Sequence, residues 1–256
     1  MKKLNWYFYQ VWLPLHLLTI VLLFTVSINW WLVAVFWLIF GPLATGVGLH
    51  RLFAHRSFKT NKYVEYLLGY LSTLSAYAPI LFWVAQHQYH HKFSDTDQDP
   101  TSPKHRGLLY SFLYWRFLKS NLDKADFMNY CSRQMMKNKV LMFLNTHFTK
   151  IVYLHVIVLF LISPALLLSV YLLPTIIESI RINLLNSVSH VKGVPFNYRN
   201  HEINDESYNN LILGYLSLGF GWHNNHHADP KKCVIHDKWW ELDIEGYIAH
   251  MLSKIK

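Results

Sequence analysis

From Leu4 to His50 the sequence contains no aspartate, glutamate, lysine or arginine. That run is about twice the ~20 residues that cross a bilayer once, and it fits two membrane helices joined by a tight turn. Ser27-Ile28-Asn29, followed by Trp30 and Trp31, supplies polar turn chemistry and interfacial aromatics near its middle. A second uncharged run, Ile151 to Ile177, continues to Val191 with only Glu178 and Arg181 interrupting, and predicts a second hairpin turning near Pro164 or Pro174. Glu178 and Arg181 read as an i, i+3 pair facing the bundle. Composition agrees, with 52% hydrophobic and 15% charged residues, against about 25% charged in ordinary soluble domains. "MKK" before the apolar stretch does not read as a cleaved signal peptide. The run is too long, and no small-residue cleavage site precedes a polar mature start.

Basic residues set an orientation. Fourteen of the 24 lysines and arginines lie between Arg51 and Lys150, and neither predicted hairpin turn contains one. By the positive-inside rule, both termini and the long middle segment lie in the cytoplasm. The net charge of +9 then reads as topology and attraction to anionic membrane lipids, not as nucleic-acid binding. The two cysteines, Cys131 and Cys233, suggest reduced thiols and no disulfide framework. A third apolar stretch, Tyr66 to Ala85, has basic residues on both flanks, so it is expected not to cross but to form buried or interfacial helices broken near Ala78-Pro79. The expected architecture is a single all-α integral membrane domain over residues 1–256 with four transmembrane helices. The hairpins occupy about 4–49 and 151–191, and cytosolic cap segments occupy 50–150 and 192–256.

Nine of the sixteen histidines fall into four clusters. His50 and His55 form H-x4-H, and His87, His90 and His91 form H-x2-H-H. His190 follows Asn186 by four residues, and His223, His226 and His227 repeat H-x2-H-H. On a helix, positions i, i+3 and i+4 lie on one face, so each H-x2-H-H is expected to aim three imidazoles at a common point. His50 and His55 would diverge by about 140° on a regular α-helix and converge best where a membrane helix ends or bends. Unpaired, so many buried polar rings would be costly, and metal ions are the economical explanation. Nine ligands are too many for one ion, and two is the natural count. Imidazole excludes calcium and magnesium and leaves iron, zinc, copper or nickel. Two irons with positions open to oxygen fit best, although ligand type alone does not select iron. A shared centre also requires that Tyr66 to Ala85 not cross, since His50 and His55 precede it and His87, His90 and His91 follow it. His16, His105, His147, His155, His201, His236 and His250 are scattered singly and read as structural or surface residues.

"HRLFAH", "HQYHHKFSDTDQDP", "NSVSH" and "HNNHH" together resemble the histidine boxes of membrane fatty acyl desaturases of the acyl-CoA or acyl-lipid Δ9 type. The likeness runs from about Gly41 to "WWELDIEGYI". It implies a four-helix membrane stalk with a helical cytosolic cap holding a non-haem di-iron centre. It also implies an O2-dependent reaction that leaves a cis double bond in a saturated acyl chain. His50, His55, His87, His90, His91, His190, His223, His226 and His227 match the family's iron ligands, and Asn186 matches the position that holds an iron-bound water. Ala85-Gln86 stands where animal acyl-CoA enzymes have an Arg-Asp pair, and Gln88 where many members carry arginine, which favours a glycerolipid-bound chain over acyl-CoA. The resemblance implies a separate electron donor of ferredoxin or cytochrome b5 type, docking on Lys231-Lys232 or on the basic middle segment.

Asp95, Asp97 and Asp99 open like a calcium loop, but Pro100 stands where glycine is needed and Arg106 where glutamate is. At least Asp95 or Asp99 is expected to hydrogen-bond a ligand histidine. The nearest rival function is a histidine-rich di-iron hydroxylase of an alkane, sterol or carotenoid. A metal transporter would instead distribute ionisable groups along the spans toward the far side.

Overall fold

The computed structural model describes residues 8–117, 130 and 133–255. Lys2, Lys3 and Cys131 lie outside the described residues. The first uncharged run folds into α1 (Phe8–Leu23) and α2 (Trp30–His55), turning where the sequence places the turn. Asn29 fixes it. Its side chain accepts the Leu32 N–H at 3.2 Å and caps α2, while its own N–H donates to Ser169 Oγ at 3.0 Å on the second hairpin. From Ile39 to His55 the hydrogen bonding of α2 widens to i→i+5, giving a π-helix. Arg56, at φ 52°, ends it in the left-handed region.

The third apolar stretch becomes α3 (Lys62–Leu74), capped by Asn61, and α4 (Ile80–Phe93). The break between them contains Ala76 at φ 55° and Pro79, so it falls where expected. Neither piece is long enough for a full crossing.

After α5 (Lys139–Thr146) comes α6 (Phe148–Ile162), at a 69° bend. Ser163 then accepts the Leu166 N–H at 3.3 Å and, with Pro164 in the first turn, starts α7 (Pro164–Val188). The second hairpin therefore turns at Pro164. Pro174 is absorbed within α7 directly after a π turn, Leu168–Leu172, where the register changes and one backbone donor is dispensable.

Two helices are long and apolar enough to cross a bilayer, α2 with 26 residues and α7 with 25. Of the four crossings expected, these two meet the length test. The 15 residues of α6 reach it only together with α5, and α1 is shorter than a full span. One apolar core joins α1, α2, α6 and α7, and a second joins the end of α2 to α3, α4 and α5. Leu17, Ile20, Trp31, Leu154 and Leu161 face outward, as lipid contact requires.

The described residues after α7 cover one end of the bundle. A two-residue antiparallel pair, β1 (Asn197–Tyr198) and β2 (Asn209–Asn210), leads into α8 (Leu211–Leu216), α9 (His223–Ala228) and α10 (Ile244–Leu252). The cap is clamped to the hairpins by buried charge. Arg51 on α2 donates to Glu245 Oε2 at 2.6 Å and Asp243 Oδ1 at 2.8 Å, and Arg181 on α7 donates to Glu178 at 2.8 Å and Glu245 Oε1 at 3.0 Å. The Glu178–Arg181 pair is present as the spacing predicts, and it belongs to this larger network. Gly46 makes the approach possible, since a Cβ there would lie 2.1 Å from Glu245 Oε2.

Candidate metal centre

All nine clustered histidines meet beneath the cap, and they divide into two groups. In one, nitrogens of His50, His55, His87, His91 and His226 lie within 4.8 Å of one another; in the other, those of His90, His190, His223 and His227 do. The expectation that each H-x2-H-H aims at one point is corrected by this division. At 3.6 residues per turn, i+4 sits about 40° from i, whereas i+3 sits about 60° to the other side. Each box therefore straddles both groups. His87 and His91 enter the first group while His90 enters the second. His223 and His227 enter the second while His226 enters the first.

The remaining ligand candidates complete a crossed arrangement. His50 and His55 diverge on an α-helix but are one hydrogen-bonded turn apart on a π-helix, so the widened end of α2 presents both to the first group. His190, just past α7, serves the second group. Asn186 is half-buried one turn before it.

The donor atoms fit metal ions. Nε2 of His226 lies 2.9 Å from that of His50 and 3.0 Å from that of His91, and His87 Nε2 lies 2.7 Å from His55 Nε2 and 3.1 Å from His91 Nε2. In the second group, His190 and His223 approach at 2.9 Å. Two imidazoles at right angles on one ion, each about 2.1 Å from it, would hold their nitrogens about 3 Å apart. His90 Nε2 and His227 Nε2 are buried with no hydrogen-bond partner among the described residues, which is costly unless something else is ligated.

Three carboxylates orient the second group. Nδ1–H of His90 donates to Asp99 at 3.0 Å, that of His190 to Asp95 at 2.7 Å, and that of His227 to Asp205 at 2.8 Å. Each bond fixes the tautomer and leaves Nε2 free as a ligand. Asp99 is itself held by the Thr101 N–H and hydroxyl, each at 2.9 Å. Asp95 accepts from Ser102 Oγ at 3.0 Å and from the Glu206 N–H at 2.9 Å. The expected role of Asp95 or Asp99 thus falls to both, while Asp97 is exposed. Asp205 carries no motif and was not foreseen.

Burial, reinforced by the neighbouring rings, pushes His87, His91, His223, His226 and His227 well below the ordinary histidine range, so they are neutral at pH 7 as ligands must be. His90 moves the other way: burial lowers it, but the Asp99 carboxylate outweighs that. Burial alone would raise Asp95 and Asp99, yet His190 and His90 respectively hold them below the usual carboxylate range.

The asparagines inside "HNNHH" face away from the metal groups and fasten the cap. Asn224 Oδ1 accepts the N–H of Asn200 and of His201 at 2.9 and 2.8 Å, and Asn225 Nδ2 donates to Glu241 at 2.8 Å. Trp83 stacks on His87 with ring centres 4.7 Å apart, and Phe220 sits edge-on to His50 at 4.6 Å, walling the first group with apolar surface. Beside His87, Gln86 lines a cavity of about 30 Å³ with Trp12, Tyr77 and Phe82. It adjoins a second, of about 10 Å³, that reaches Thr175 and Ser179 on α7. His105, His147, His201 and the other scattered histidines belong to neither metal group.

Comparison with known proteins gives this geometry a context. The fatty acid desaturase family model matches residues 29–244. The chain is 31% identical to an acyl-CoA 5-desaturase of Anemone leveillei, over 93% of this chain and 74% of that one. It is 33% identical to Delta-9 acyl-lipid desaturase 2 of Arabidopsis thaliana, over 88% and 72%. It is 30% identical to an sn-1 stearoyl-lipid 9-desaturase of Anabaena variabilis, over 98% and 91%. With the match to the family model spanning most of its length, the chain belongs to the fatty acid desaturase family, oxidoreductases that act on fatty acyl chains.

Proposed function

We propose that this protein is an O2-dependent acyl desaturase that places a cis double bond at C9 of a glycerolipid-linked saturated chain, using two non-haem irons. The observation that carries the reading is the crossed pair of imidazole groups, one of five rings and one of four. His50, His55, His87, His91 and His226 would hold one iron, and His90, His190, His223 and His227 the other. Asn186, half-buried one turn from His190, would orient a water at the group with fewer rings. The choice of C9 and of a lipid carrier follows the names of two relatives and the absence of an Arg-Asp pair at Ala85-Gln86.

Bound iron supplies, with O2, the oxidant that an unactivated methylene requires, because its hydrogens have no acidity for a side-chain base to exploit. Two hydrogens leave adjacent carbons and O2 becomes two waters. The acyl chain provides two of the four electrons, and an external donor provides the other two with two protons. The chain's own residues set the conditions. Asp95, Asp99 and Asp205 hold three rings in the ligating tautomer. Trp83 and Phe220 exclude water, and the acyl chain would enter beside Gln86 and Tyr77, where the cavities of about 30 and 10 Å³ have to widen to admit it. In this reading residues 4–49 and 151–191 are embedded, and the cap segments 50–150 and 192–256 lie on the cytoplasmic side with both termini.

The test is the fatty-acid profile of cells expressing the protein, with double bonds located by mass spectrometry. A new cis-monoene is expected from the wild type and from His147→Ala, and none from His91→Ala or His227→Ala at equal membrane abundance. An oxygenated product would make the enzyme a hydroxylase, and product formation by either box variant would overturn the ligand assignment.

A further inference from the structure

Sharing no lining residue with the cavities at Gln86, an open cleft of about 750 Å³ lies between the end of α2 and the start of α5. Its floor is Leu52, Phe53, Phe58 and Met135, and its walls carry Arg56, Lys59, Lys137 and Lys139 against one carboxylate, Glu65. The four cations are exposed, and none forms an ion pair among the described residues. Glu65 is engaged, accepting from Asn138 Nδ2 at 3.3 Å. Elsewhere some basic groups are paired. Lys232 donates to Asp237 at 2.5 Å, and Lys104 to Glu206 at 3.3 Å.

The cleft is also next to the metal groups. Arg56 directly follows His55, so its Cα is about 3.8 Å along the chain from that of a ring in the five-histidine group. Its backbone is held at φ 52°, a conformation that a non-glycine residue keeps only where the surroundings enforce it. Desaturation needs two electrons from outside, delivered where a protein surface approaches a metal ligand without passing through the acyl cavity. A surface of unpaired cations around an apolar floor suits a carrier with acidic side chains around its redox group.

Resting on the desaturase reading, we propose that the cleft bounded by Arg56, Lys59, Lys137 and Lys139 is the docking surface for an acidic one-electron carrier protein. Electrons then enter on the α2–α5 side, past Arg56 and His55, and the acyl chain enters on the side of Gln86 and Tyr77. Of the two basic regions that the sequence offers for docking, this choice sets aside Lys231-Lys232, whose second lysine is already paired.

Binding of reduced [2Fe–2S] ferredoxin and of soluble cytochrome b5 to the detergent-solubilised full chain tests this without turnover. The variant carries Lys59→Glu, Lys137→Glu and Lys139→Glu; the control carries the same charge change as Lys231→Glu, Lys238→Glu and Lys254→Glu. For at least one carrier, the expected result is a Kd raised roughly ten- to a hundredfold at low salt in the cleft variant, with loss of the salt dependence seen in wild type. The control is expected to bind as wild type, and equal melting temperatures exclude misfolding. Unchanged binding by the cleft variant would overturn the proposal, as would failure of wild type to bind either carrier. So would a cleft variant that loses only its binding to phosphatidylglycerol vesicles, which would make the cleft a lipid-headgroup site. Carrier binding that depends on the cleft, in a protein that forms no cis-monoene, would sink the desaturase reading and leave the docking surface standing.

Discussion

His90, His190 and His227 each pass an Nδ1 proton to a carboxylate, whereas no carboxylate contacts a ring of the five-histidine group among the described residues. The two groups therefore differ in ligand basicity and in how firmly their rings are held. Asp99→Asn should weaken metal binding about 10- to 100-fold at the four-histidine group alone, seen as a fall from two toward one metal per chain by elemental analysis after dialysis. Asp97→Asn, at an exposed position, should leave both metals in place. Legibility at this scale followed motif density. The histidines and Asp95 to Asp99 sit in dense boxes, so both the nine ligand candidates and two of their carboxylate partners could be named from order alone. Asp205 lies in a loop without periodicity, and only folding brings it to His227.

At the scale of elements, the pattern of charge gave both hairpins, the Asn29 turn and the break before Pro79, because turn chemistry is local. What it left open was helix type. The i, i+5 spacing of His50 and His55 looked awkward on an α-helix, and the answer is the wide winding of α2 from Ile39 onward. Register likewise decides how the boxes divide. Three histidines on one face need not converge, and a 100° spread lets each helix serve both imidazole groups. Packing between elements is as specific. Because α10 brings Glu245 against Gly46, Gly46→Leu should force α2 and α10 apart. A destabilisation of at least about 1–3 kcal/mol is expected, read as a lower melting temperature in detergent.

Across the whole molecule, one buried charge network ties both hairpins to the cap. The sequence shows only its local part, Glu178 and Arg181, since Glu245 lies 64 residues beyond Arg181 and Arg51 lies 192 and 194 residues from its partners Asp243 and Glu245. Arg181→Met would leave the buried Glu178 carboxylate without a counter-charge and Glu245 with Arg51 alone, and should cost about 3–5 kcal/mol, measured by thermal or urea unfolding of the solubilised protein. Arg181→Lys should recover little, because one ammonium cannot span the contacts that the guanidinium makes with Glu178 and Glu245.

His50 finds His226 across 176 positions, and Arg51 finds Glu245 across 194. At the ~5–20 residues per second of protein synthesis, the first hairpin waits about 9 to 40 s before the ribosome makes the groups that complete it. During that interval Arg51 sits at the end of an apolar helix with no counter-charge, and neither imidazole group is complete. Both imidazole groups are therefore completed late in biogenesis, when α9 is made. A chain cut short before Asp243 would leave Arg51 buried without a counter-charge.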